Sequence, residues 1–283
     1  MPISNPSQLH KFLNSLEARP RKSLSQNFLI DNNILQKMLK EANLSPRELI
    51  LEIGPGPGAL TEALLNKQTR ILAIEKDRTF AQALSRLQTE ENRLYIHNED
   101  ILSSPLEQLL KKHLSKGEKA KVVANIPYQL TTPLLTQLLA IGKYFSFLLI
   151  MVQKEVALRM TALPKSKDYS SLTIFLNFYS HIRYAFNVSK HCYYPKPNVD
   201  SAVVAITPRT PPKVSSIEAF FKMTKTAFKQ RRKMLRSSLK VFYSPTTISK
   251  ALTDIGQNPL ARPEELSLEQ FITLFEICDQ TTN

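Results

Sequence analysis

Half of the glycines in this 283-residue chain fall within five positions, at Gly54, Gly56 and Gly58, although the chain has only 6 in all. A glycine-poor sequence that gathers glycine so tightly requires a backbone there that side chains would forbid. The cluster stands between an apolar run, Leu49–Ile53, and a helical pattern that begins at Ala59. The segment therefore reads as a buried strand, a glycine turn and a helix whose free N–H groups face a ligand.

Downstream, short apolar runs alternate with helical stretches. Strands are expected over 49–53, 71–74, 94–96, 121–124, 146–151, 172–179 and 202–206. Helices are expected over 32–41, 59–66, 80–87, 106–113, 133–141 and 155–162. This alternation predicts an α/β fold with a Rossmann-like, mostly parallel sheet covered on both faces. The last two strands lack a helical pattern between them, which predicts an antiparallel hairpin at one sheet edge. Pro208, Pro211 and Pro212 then stiffen the chain, and only helical patterns follow. The expected domains are a Rossmann-like sheet domain over 1–208 and a smaller helical unit over 209–283.

Composition excludes several classes. With 42% hydrophobic and 22% charged residues the chain matches a soluble globular protein. Its two cysteines, Cys192 and Cys278, are too few for a disulfide framework or a cysteine-rich zinc site, and no metal is expected. No apolar run approaches the roughly 18–20 residues of a membrane span. The first 16 residues lack the continuous apolar core of an export signal, and Glu17 follows them. A cytoplasmic protein with reduced thiols and no membrane contact is expected.

The strand after the glycine turn ends in Glu75, 21 residues beyond Gly54, where a carboxylate can accept both hydroxyls of a ribose. Gly54, Gly56 and Ala59 also fit the dinucleotide fingerprint, so NAD competes at this point. The next strand ends in Asp100, placed to hold an adenine amino group. With Glu52, three strand ends carry acids. That arrangement suits S-adenosylmethionine, which has ribose and adenine but no pyrophosphate.

The next strand delivers Asn125-Ile126-Pro127-Tyr128 to the carboxyl edge of the sheet. An adenine N6 is a poor nucleophile because its lone pair is delocalised into the ring. Two acceptors holding its N–H groups favour a pyramidal nitrogen, and the Asn125 side-chain carbonyl and the Ile126 backbone carbonyl can serve. Pro127 fixes φ and so helps to aim that carbonyl, and Tyr128 offers a ring on which an extruded base stacks. In-line methyl transfer needs no strong base, because proximity supplies most of the effect.

Gln26-Asn-Phe-Leu-Ile-Asp31, Leu51-Glu-Ile-Gly-Pro-Gly56, Glu75, Asp100 and Asn125-Ile-Pro-Tyr128 resemble, in order, the motifs of the rRNA adenine N6,N6-dimethyltransferases. Gln153-Lys-Glu155, the segment 195–204 and the segment 228–236 extend the resemblance over almost the whole chain from about residue 20. The segment 228–236 is more similar to the bacterial small-subunit branch than to the large-subunit methylases of macrolide resistance. The resemblance implies that Asn27, Leu29, Gly54, Gly56, Glu75, Asp100 and Asn125 hold S-adenosylmethionine. Gly54 would lie against the methionine moiety, Glu75 at the ribose and Asp100 at the adenine. Asn125, Ile126, Pro127 and Tyr128 would act on the target base, and Tyr193 would sandwich it against Tyr128. The family more often has Phe at that position, and Tyr194 is the alternative for the role. The implied reaction is N6,N6-dimethylation of adjacent adenosines in small-subunit rRNA, within an immature small ribosomal subunit and by a monomer. It contributes to ribosome biogenesis and consumes two S-adenosylmethionine molecules per base.

The formal net charge is +14. Residues 208–240 hold ten Lys or Arg against one acid, and residues 1–26 hold four against one. Lys222, Lys225, Lys229, Arg232, Arg236 and Lys240 recur at three- and four-residue steps, which predicts one cationic stripe along a helix. Ile217, Phe221, Thr224, Phe228, Leu235 and Leu239 would form its apolar side. Such a stripe suits contact with an RNA phosphate backbone. A DNA adenine methylase, a nicotinamide-dependent oxidoreductase and a non-catalytic RNA-binding assembly factor are the competing readings.

Overall fold

The computed structural model describes residues 3, 6–21, 24, 26–91 and 93–281, so Lys22 of the basic N-terminal segment lies outside the described residues. The chain begins with α1 (Pro6–Ser15), β1 (Phe28–Leu29) and α2 (Asn32–Ala42). It alternates through β2 (Leu49–Ile53), α3 (Ala59–Leu65), β3 (Arg70–Ile74), α4 (Arg78–Ala83), β4 (Leu94–His97) and α5 (Leu106–His113). Next come β5 (Ala120–Asn125), α6 (Thr131–Ala140), β6 (Phe145–Gln153), α7 (Lys154–Met160) and α8 (Ser171–Tyr179). Strands β7 (Ser180–Val188), β8 (Tyr193–Tyr194) and β9 (Ser201–Pro208) precede the helices α9 (Ile217–Lys229), α10 (Leu235–Ser238), α11 (Pro245–Asp254) and α12 (Leu268–Gln280).

Seven strands form one sheet in the order β4-β3-β2-β5-β6-β9-β7, with β4 through β6 parallel and β9 antiparallel to β6. Strand β2 is buried along its whole length, as a central strand covered on both faces must be. Between β2 and β5 the chain order reverses. That is where a doubly wound sheet opens a crevice at its carboxyl edge.

Residues 172–179, expected as a strand, form helix α8. A capping box between Ser170 and Thr173 starts it, and a continuous apolar run does not by its period distinguish a strand from a buried helix. The edge strand is instead β7, which neighbours β9. Helix α1, which has no counterpart in the sequence reading, buries Leu9 and Leu13 against Phe28 and Phe80.

The chain divides into two compact units, Met1–Ala157 with Arg183–Pro208, and Leu158–Ile182 with Arg209–Asn283. The first unit ends at Pro208, but residues 158–182 leave it for the second. The reason is apolar: Ile174 and Phe178 of α8 share one core with Phe220, Met223, Phe271 and Phe275. The rings of Phe178 and Phe220 stack with centroids 5.5 Å apart.

Candidate active site

The carboxyl ends of β2, β3, β4 and β5 open into one cleft in the first unit. Asn27, Leu29, Glu52, Gly54, Gly56, Glu75, Asp100, Asn125, Ile126, Pro127, Tyr128 and Tyr193 all line it. Every residue expected at the cofactor or the target base is therefore brought together. About 1300 Å³ of space lies within the cleft, open solvent included.

The glycine turn is shaped by conformation and by contact. Gly56 has φ +55, and a Cβ there would lie 3.1 Å from the Phe28 ring. Its N–H donates to Glu75 Oε2 at 2.8 Å, while Asp77 N–H donates to Glu75 Oε1 at 2.7 Å. Each carboxylate oxygen of Glu75 thus keeps a lone pair for a ligand. Burial pushes the Glu75 carboxyl up, and these two N–H donors act against the rise. Asp100 is more open. Lys76 Nζ donates to its Oδ2 at 2.8 Å and holds its carboxyl below the usual range, aided by Leu102 N–H at Oδ1.

Asn125 donates its side-chain amide to the backbone carbonyl of Asn27 at 3.3 Å, which leaves its side-chain oxygen to accept a hydrogen bond. Pro127 has φ −56, and the carbonyls of Pro127 and Tyr128 are occupied by Leu130 N–H and the Thr131 hydroxyl. The Tyr128 hydroxyl lies 2.7 Å from Ser201 Oγ. Tyr193 donates its hydroxyl to Met151 Sδ at 2.7 Å and is almost wholly buried. Tyr194 turns elsewhere, its ring 4.3 Å from that of His10.

The N-terminal segment is fastened around this cleft. Leu29 pairs with Tyr193 and Phe28 with Tyr194 in an antiparallel two-stranded sheet. Gln26 Nε2 donates to Asp77 Oδ2 at 2.9 Å. Gln26, Ser201 and Met151 escaped the sequence reading as supports. Gln26 and Ser201 stand inside quoted motifs, but nothing in a motif states which backbone or ring it holds.

In the second unit Lys222, Lys225 and Lys229 lie exposed on α9, while Phe220, Met223, Thr224, Ala227 and Phe228 are buried. Ile217 and Phe221, expected on the apolar side, are exposed and half-buried respectively. The single stripe is not formed. Helix α9 stops at Lys229, the chain turns, and α10 starts at Leu235, whose N–H donates to Ala261 O at 2.9 Å. Arg232 consequently lines a separate depression with Lys233 and Arg262, and Arg236 lies on the short α10.

Among the described residues no helix is long and apolar enough to cross a membrane, and no group of three or more His, Cys, Asp or Glu could hold a metal ion.

A sequence model of the ribosomal RNA adenine dimethylase family matches residues 17–280. The chain is 54% identical over 275 residues to the ribosomal RNA small subunit methyltransferase A of Protochlamydia amoebophila, covering 97% of each. It is 44% identical over 280 residues to the protein of the same name from Chlamydia caviae, covering 98% of each. Among solved structures it resembles the 23S rRNA methyltransferase ErmE, with 25% identity and a TM-score of 0.68 over 90% of this chain and 100% of that one. A dimethyladenosine transferase from Plasmodium falciparum shares the fold at 24% identity, with a TM-score of 0.69 over 87% of this chain and 95% of that one.

Proposed function

The chain belongs to the ribosomal RNA adenine dimethylase family, and from that premise we propose that it dimethylates N6 of adjacent adenosines in small-subunit rRNA. S-adenosylmethionine supplies an electrophilic methyl group on a sulfonium. The observation that carries this reading is the convergence of Asn125-Ile126-Pro127-Tyr128 with Gly54, Glu75 and Asp100 on one cleft. The residues present fit the cofactor. Glu75, clamped by two backbone N–H groups, offers two lone pairs to a ribose diol. Asp100, held ionised beside Lys76, accepts from an adenine amino group. Asn27, Leu29, Gly54 and Gly56 supply backbone and apolar walls around it.

The remaining residues act on the target base. Asn125 Oδ1 accepts one N–H of the adenine amine and the Ile126 carbonyl accepts the other, which biases the nitrogen towards a pyramidal shape. Pro127 fixes that carbonyl by its restricted φ. Tyr128 and Tyr193 flank the extruded base, each ring held by its own hydroxyl contact, to Ser201 and Met151 respectively. A monomethylated amine retains one N–H, so the same pocket accepts it for a second transfer. Lys222, Lys225, Lys229, Arg232 and Arg236 contact RNA phosphates and position the substrate without reading its sequence. The chain acts as a monomer on an immature small ribosomal subunit.

The test is transfer of tritiated methyl groups to immature small subunits, followed by nucleoside analysis, with sedimentation of the protein alone. Two methyl groups on N6 of each of two adenosines are expected, with a protein sedimenting as a single chain. Labelling of duplex DNA without labelling of rRNA would overturn the reading.

A further inference from the structure

Glu52 sits on the central strand β2, two residues before Gly54, and only 1% of its surface is exposed. Neither of its carboxyl oxygens has a hydrogen-bond partner, and neither has the hydroxyl of Thr61 from α3. Yet Glu52 lines the same cleft as Gly54, Glu75 and Asn125. A buried ionised carboxylate without a partner is so costly that such a group takes up a proton instead. An acid kept in that condition beside a ligand cleft needs a partner that the fold itself does not supply.

The strand order says which part of the ligand comes near. Across the sheet edge the ends run β4, β3, β2, β5, bearing Asp100, Glu75, Glu52 with Gly54, and Asn125. Adenine belongs to the first and ribose to the second, while the transferable methyl must reach the fourth. The amino-acid end of the cofactor, which carries an ammonium, is left to β2. This step rests on the reading of the cleft as an S-adenosylmethionine site.

We propose that Glu52 is a proton-exchanging counter-ion for that ammonium: a carboxylic acid in the free protein and a carboxylate once the ligand is bound. On binding, the O–H bond of the acid breaks, its electron pair stays on the carboxylate and its proton passes to solvent. No covalent bond to the ligand forms. The other titratable groups lining the cleft are Glu75, Lys76, Glu99, Asp100, Tyr128 and Tyr193. Of these, Glu75 acts on Glu52 by charge and favours its neutral form. Burial is the larger influence, and the carboxyl is pushed up to about 8.

The test is calorimetric titration of the full chain with S-adenosylhomocysteine, which keeps the ammonium but has no methyl group to transfer. Phosphate and Tris, whose ionisation enthalpies differ widely, report the protons exchanged. About one proton should leave per ligand bound at pH 7, and Kd should tighten about tenfold from pH 6 to pH 7. Methylthioadenosine, with adenine and ribose but no ammonium, should release no proton and show a flat Kd. Glu52→Gln should flatten the response to S-adenosylhomocysteine; if that variant does not fold, the two-buffer measurement on the native chain decides alone. Equal enthalpies in both buffers with a pH-independent Kd would overturn the role of Glu52 while leaving the cofactor site intact. An equal slope with methylthioadenosine would also overturn it, by moving the titration to Glu75. No binding of S-adenosylhomocysteine at any pH would instead overturn the reading of the cleft.

Discussion

The side-chain amide of Asn125 donates to the backbone carbonyl of Asn27, 98 residues earlier in the chain and 3.3 Å away. The bond orients the amide and leaves the oxygen to accept from the proposed target. Asn125→Ala removes both functions. Methyl transfer should fall by about 10²–10³-fold, the usual loss of one well-placed polar group at a reacting centre. RNA binding should be unchanged. Single-turnover transfer alongside filter binding checks this, and activity within tenfold of the native enzyme would remove Asn125 from the chemistry.

The hydroxyls of the two tyrosines and their rings have separable effects. Tyr193→Phe keeps the ring and deletes the hydroxyl that contacts Met151 Sδ, so turnover should stay within a few-fold of native. Tyr193→Ala removes the ring and should cost about 1–3 kcal/mol of target-base binding. Ser201→Ala leaves the Tyr128 ring in place without its hydroxyl partner and should cost roughly 1 kcal/mol of stability. Thermal melts together with KM and kcat for RNA distinguish these outcomes.

Because α9 ends at Lys229, the cations of the second unit form two sets rather than one. Lys222→Ala with Lys225→Ala and Lys229→Ala should reduce the slope of log K against log salt by about 0.7–0.9 for each RNA phosphate left without its lysine. Arg232→Ala with Arg236→Ala should lower it by a separate increment, and the two sets should combine additively. An unchanged slope would mark the lysines as a solvated helix face.

The buried Glu52 predicts a pH dependence of stability in the absence of ligand. Its folded carboxyl, near 8, lies above the unfolded value, so the folded state holds the extra proton between about pH 4.5 and 8. Stability from this group is therefore present at low pH and lost as pH rises through that window. The loss is on the order of a few kcal/mol. Glu52→Gln should melt higher than the native chain at pH 8 and should lose most of the difference at pH 5. Parallel melting curves at both values would contradict the burial of an uncompensated acid.

Much of the sheet was legible because its strands are buried on both faces and read as uninterrupted apolar runs, as Leu49–Ile53 does over its full length. The same property misled at residues 172–179, where an apolar run is a helix wedged against Phe220 and its neighbours. Periodicity carries no information when every side is buried, and the deciding partner lies far along the chain. The strand-end carboxylates were readable for a different reason: a parallel sheet puts every carboxyl end on one edge, so spacing alone converges them. The supports were not readable. Ser201 and Met151 act through single hydroxyl contacts whose partners only the packed fold brings near. The cationic stripe failed because a helical wheel assumes continuity, and the turn after Lys229 ends it.

The pairing of Leu29 with Tyr193 makes one short ribbon part of the wall of the cleft. In the proposed function Leu29 faces the methyl donor, and the Tyr193 ring meets the acceptor. Neither contact can then be reshaped alone: a change that shifts residues 27–29 is transmitted through the ladder to Tyr193. Loss of the N-terminal segment would thus unseat the acceptor as well as the donor. Substitutions meant to retune donor choice at Leu29 will register in the handling of the base.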